Sequence, residues 1–99
     1  MKFKDLNLLP SLLKALEDKK YTEPTSIQQK AIPFILSCKD VLGSAQTGTG
    51  KTAAFALPII QHLENEMQSH SGRRKIRALV VTPTRELAIQ IGENFVFFR

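Results

Sequence analysis

Ninety-nine residues, 42% apolar and 23% charged, describe one modest globular unit rather than a disordered chain or a pair of independent domains. The net charge of +5, from 14 Lys and Arg against 9 Asp and Glu, permits attraction to polyanions without demanding it. A single cysteine, Cys38, excludes an intrachain disulfide, and no run approaches the roughly 20 apolar residues of a membrane span, so a cytoplasmic protein without a membrane partner is the simplest reading.

Leu9, Leu12, Leu13 and Leu16 recur at helical spacing behind Pro10, which suits a first helical turn, and they predict a short amphipathic helix over residues 10 to 19. Tyr21 to Pro24 read as a turn. Thr25 or Ser26 then caps a second helix with Ile27, Ala31 and Ile35 on one side and Pro33 as a break or kink. Cys38, just beyond, reads as a small buried hydrophobe. Val41 to Ser44 suit a buried strand leading into a glycine-rich segment. A helix follows from about Lys51 into the high sixties, bent rather than stopped at Pro58.

The cluster Arg73-Arg74-Lys75 with Arg77 lies in a loop, and a solvated loop is favoured over a nucleic-acid contact. Ala78-Leu79-Val80-Val81-Thr82 is nearly all apolar and β-branched, as in a parallel strand covered on both faces, and Pro83 ends it. Glu86 to Phe95 carry a final helix, ahead of an aromatic tail, Phe95 to Arg99. The expected fold is α/β: two lead-in helices, then β-α-β-α with parallel strands. Two strands are too few for a finished sheet, so the chain reads as a piece of a larger domain.

The segment Ala45-Gln46-Thr47-Gly48-Thr49-Gly50-Lys51-Thr52 ends as a P-loop does. Gly48 and Gly50 allow a tight ring whose N–H groups point at phosphates, Lys51 reaches the outer phosphates, and Thr52 offers its hydroxyl to Mg2+. Ala45 departs from the strict pattern, which begins with Gly.

Tyr21-Thr22-Glu23-Pro24-Thr25-Ser26-Ile27-Gln28 resembles the Q motif of DEAD-box RNA helicases, Ala45 to Thr52 resembles their motif I, and Pro83-Thr84-Arg85-Glu86-Leu87-Ala88 resembles their motif Ia. The three stand in the family's order over nearly the whole chain. The resemblance accounts for Ala45, since Ala is usual there in the family. It implies a partial RecA-like P-loop domain, with residues 1–29 as a Q-motif region and 32–99 as a truncated helicase ATP-binding domain. It also implies ATP and Mg2+ as cofactors, with Gln28 reading adenine and Tyr21 and Phe3 packing on the base. A carboxamide can donate to and accept from one adenine edge at once. Thr84 and Arg85 would contact the backbone of single-stranded RNA, with an internal ion pair as the competing role for Arg85. Lys20 stands where the family commonly has Gly, and Ser26 where it often has Pro.

No Asp-Glu-Ala-Asp and no Ser-Ala-Thr occurs in the 99 residues, so no complete catalytic set is present. The expectation is a fragment that binds ATP, and RNA weakly, without hydrolysing or unwinding. A stand-alone nucleotide- or RNA-binding regulatory module and a non-functional truncated product are the readings left open.

Overall fold

Pro10 opens the first α-helix because its fixed φ suits helix entry and its missing N–H has no helical partner there. In the computed structural model, which describes residues 2–45, 50–66 and 76–98, this helix, α1, spans Pro10–Asp18 and buries Leu12 and Leu16, four residues apart on one face. It ends in a Schellman turn. Lys20 N–H donates to the Glu17 carbonyl and Tyr21 N–H to the Leu16 carbonyl, both at 2.9 Å, with Lys20 left-handed at φ 62°.

α2, Ser26–Leu36, starts at Thr25, whose hydroxyl accepts from Gln28 N–H while the Gln28 side chain accepts from Thr25 N–H. It runs through Pro33 without a break; Pro33 sits on the exposed side. The same Schellman pattern closes it: Cys38 N–H donates to Ile35, Lys39 N–H to Phe34, and Cys38 has φ 62°. Cys38 is exposed rather than buried, because the left-handed residue after a helix points away from the helix's packed face.

A 3-10 helix, Phe3–Leu6, precedes α1 and was not expected from the periodicity of so short a stretch. Lys2 N–H donates to Asp5 Oδ2 at 2.9 Å, and the turn buries Phe3 and Leu6. α3 spans Lys51–Glu66, and the helix does not stop at Pro58, which is buried within it. It buries the small Ala53, Ala54 and Ala56, and α2 on α3 is the main helix pairing among the described residues. α4, Arg85–Phe98, is longer at both ends than the expected 86 to 95. Thr84 Oγ1 caps it by accepting from Leu87 N–H at 3.2 Å.

Residues 95–98 continue α4 as its last turn. Phe98 is only 2% exposed in the core, which also takes Phe3, Leu6, Leu8, Leu12, Leu16, Ile32, Ala53, Leu57 and Ile60. Phe95 meets Phe55 with ring centroids 6.4 Å apart. Lys19 joins α1 to this turn, its ammonium 4.7 Å from the Phe97 centroid and 3.3 Å from Asn94 Oδ1.

The expected α/β order is not what forms. The described residues contain four α-helices and one 3-10 helix, and neither Val41–Ser44 nor residues 78–82 makes a strand. β-structure requires a ladder partner for its N–H and C=O groups, and among the described residues neither segment has one. Leu79 and Val81 are accordingly 84% and 83% exposed, not covered on both faces. An apolar, β-branched composition states a preference for a sheet but cannot supply the neighbouring strand.

Candidate nucleotide-binding cleft

The start of α2 and the start of α3 meet at one point. The Gln28 carboxamide, 2% exposed, accepts from Thr25 N–H at 2.9 Å through Oε1 and donates to the Gly50 carbonyl at 3.1 Å through Nε2. Gly50 is glycine for two reasons visible there. Its φ is +84°, and a Cβ at that position would lie 2.3 Å from Gln28 Nε2. The cap of one helix and the entry to the other are thus one hydrogen-bonded unit.

An open cleft of about 1130 Å³ lies over this junction. Its lining includes Phe3, Tyr21, Gln28, Gly50, Lys51, Thr52 and residues 79–83. Tyr21 is exposed and free to receive a planar group, whereas Phe3 is buried and shows the cleft only part of its ring. Lys51 is exposed as the first residue of α3, so its ammonium and the positive end of the helix act on the same space. Thr52 is half-buried beside it. Ala45 is half-buried on the approach, and Gln46, Thr47, Gly48 and Thr49 lie outside the described residues.

Gln28 is not idle in this arrangement. It keeps one amide hydrogen and one acceptor site beyond the two bonds it makes, since a carboxamide carries two of each. Tyr21 supplies an aromatic ring, with Lys20 and Glu23 beside it, and Lys51 supplies a cation, so the cleft suits a ligand with a flat polar ring and anionic groups.

Thr84 and Arg85 stand apart from that junction, at the start of α4, next to the Thr82 and Pro83 edge of the cleft. The Thr84 hydroxyl is used as the helix cap. Arg85 is exposed, and among the described residues no carboxylate pairs with it. Arg73, Arg74 and Lys75 lie outside the described residues, while Arg77 donates to the Leu63 carbonyl at 3.3 Å. No group of three or more metal-ligating His, Cys, Asp or Glu side chains is found among the described residues, and no described helix is long and apolar enough to cross a membrane.

The model of the DEAD/DEAH box helicase family matches residues 25–98, which contain the Gln28–Gly50 junction, the start of α3 and all of α4. The chain belongs to the DEAD/DEAH box helicase family. It is 54% identical to the ATP-dependent rRNA helicase RRP3 of Candida albicans, over 94% of this chain and 16% of that protein. It is likewise 54% identical to the ATP-dependent RNA helicase SrmB of Escherichia coli, over 93% of this chain and 20% of that one. A DEAD box protein from Methanococcus jannaschii superimposes with a TM-score of 0.86 at 40% identity, covering 99% of this chain and 25% of that one. The RNA helicase Prp28 from Chaetomium thermophilum, bound to ADP, gives 0.84 at 39% identity, over 98% and 23%. This DEAD-box chain therefore spans a fifth or less of these two curated relatives.

The residues that sequence reasoning missed are those whose partners are distant. Gln61 on α3 is buried and bonds to the backbone at Asn7 and Leu9. Its signal was present: a carboxamide four residues after Leu57, on the apolar face of the helix. His62 likewise donates through Nε2 to the Ile35 carbonyl at 2.8 Å, tying α3 to the last turn of α2.

Proposed function

We propose that this chain is the adenine- and phosphate-holding portion of an ATP-dependent RNA helicase, with residues 1–29 serving the base and residues 32–99 the phosphates and the first RNA contacts. The observation that carries the reading is the Gln28–Gly50 junction, which brings the base-reading carboxamide against the residue preceding Lys51 in one cleft. The ADP carried by the Prp28 relative, 39% identical over this region, is of the same ligand class.

The residues fit the group. Lys51, with the α3 N-terminus behind it, neutralises the outer phosphates. Gln28 offers its remaining donor and acceptor to the adenine edge, and Tyr21 packs on the ring. Ala45 through Thr49 complete the phosphate loop. Mg2+ needs few protein oxygens when phosphates and water fill the rest of its shell, so the Thr52 hydroxyl suffices on this chain. The metal supplies charge neutralisation at the phosphates. Arg85 and the capped start of α4 hold a backbone phosphate of single-stranded RNA, adding affinity without base preference.

Turnover is a separate matter. The 99 residues contain no carboxylate motif to hold the metal's second side or to orient the attacking water, so by themselves they bind without hydrolysing. Calorimetry with ATP and GTP on the chain and on Lys51→Ala tests both statements. The parent should prefer ATP, and Lys51→Ala should lose both nucleotides. Equal affinity for ATP and GTP would refute base reading by Gln28, and an RNA-dependent ATPase rate from the 99-residue chain would refute binding without turnover.

A further inference from the structure

Two uncharged polar side chains are buried among the described residues, Gln28 and Gln61. Gln28 faces the cleft; Gln61, 8% exposed, does not line it. Gln61 Oε1 accepts from Leu9 N–H at 2.8 Å and Nε2 donates to the Asn7 carbonyl at 2.9 Å, across more than fifty residues of sequence. An apolar residue of the same size would leave the Leu9 N–H and the Asn7 carbonyl without this partner. The distinctive effect of the carboxamide is direction.

The segment it grips needs one. Leu6, Leu8 and Leu9 offer the core interchangeable apolar side chains, and apolar contact alone does not choose among registers. Two hydrogen bonds, to the carbonyl of the left-handed Asn7, φ 61°, and to the N–H of Leu9 two residues on, do. Fixing Asn7 to Leu9 fixes the 3-10 helix before it and hence Phe3, which both enters the core and lines the cleft. Gln61 lies on the helix that begins with Lys51, ten residues on and about 15 Å along the axis by helical rise.

We propose that Gln61 is a positioning residue for nucleotide base binding: it clamps Asn7 and Leu9 to α3 and so holds the Phe3 wall of the cleft at a set distance from the phosphate-holding Lys51. The proposal rests on the adenine-nucleotide reading of the cleft given above.

The test compares ATP with inorganic tripolyphosphate, which has the phosphates and no base, by calorimetry on the 99-residue chain in the presence of Mg2+. Gln61→Met keeps length and removes both hydrogen bonds; Gln61→Glu keeps an acceptor for Leu9 and sets a carboxylate oxygen against the Asn7 carbonyl, which repels it. Gln61→Met should weaken ATP about tenfold and leave tripolyphosphate within about twofold, with Gln61→Glu weakening ATP at least as much. Combining Gln61→Met with Phe3→Leu, which removes the ring and keeps the core filled, should cost no more than Phe3→Leu alone, because the two act through one contact. Equal loss of both ligands in both Gln61 variants, an unchanged ATP affinity, or additivity with Phe3→Leu overturns the proposal. A parent that binds tripolyphosphate as tightly as ATP overturns the adenine reading and this inference together. A parent that gains from the base and is indifferent to Gln61 overturns this inference alone.

Discussion

Lys20 occupies the left-handed position that ends α1, where the family resemblance places glycine. A side chain with a Cβ is disfavoured in that conformation by roughly 1–2 kcal/mol, while glycine gives back roughly 0.5–1 kcal/mol through its freer unfolded chain. Lys20→Gly should therefore stabilise the chain by up to about 1 kcal/mol, a rise of a few degrees in a circular-dichroism melt for a domain this size. A lower melting temperature would show that Lys20 earns its place by some contact of its own. Gly50 presents the reverse case. Gly50→Ala would place a methyl 2.3 Å from Gln28 Nε2 on a backbone with φ +84°, expelling the carboxamide from its bonds to the Thr25 N–H and the Gly50 carbonyl. A loss of about 2 kcal/mol or more in urea unfolding is expected, since strain and lost buried hydrogen bonds add. Gln28 and Gly50 were each legible in the sequence as members of separate motifs. Their bond to one another was not, because nothing in either motif states which backbone atom a carboxamide 22 residues away will find.

Helices were readable where a local signal sufficed. The Leu12 and Leu16 spacing, Pro10 at the first turn and the Thr25 cap each act within four residues, and α1 and α2 begin where those signals place them. The two expected strands depended on partners elsewhere in the chain, and the described residues contain none, so a sound composition signal led to no strand. The extra length of α4 has a similar origin: Phe98 extends the helix because the core accepts its ring, a tertiary gain that helical periodicity cannot report. Phe98→Ala should accordingly cost about 3–5 kcal/mol, typical of emptying a buried aromatic site. In a chain of this size that approaches the whole stability, so loss of the cooperative urea transition is the expected reading. Phe97→Ala, at a half-exposed ring that meets Phe98 edge-on and carries the Lys19 ammonium, should cost only about 1 kcal/mol. Equal losses for the two would mean that the last turn of α4 is held by its surface contacts rather than by the core.

The whole molecule has an apolar interior and, unusually, an apolar exterior segment. Leu42, Ile76, Leu79 and Val81 are all strongly exposed, and Ala78 to Thr82 contain neither charge nor proline. Exposed backbone of this composition can pair with the same segment of a second copy, gaining hydrogen bonds and burying side chains that no part of the described structure covers. The net charge of +5 opposes association at low salt and is screened as salt rises. Light scattering from the 99-residue chain should therefore grow with protein concentration and more steeply with added salt. Val81→Lys places a charge in the middle of the run at a site already exposed to water, so it should suppress scattering severalfold while leaving the helical circular-dichroism signal as it is. The control discriminates cause from coincidence: Ile89→Lys, on an exposed position of α4, adds the same charge away from the run and should reduce scattering far less. Equal suppression by both variants would assign the effect to net charge alone and leave the 78–82 segment without a role in association.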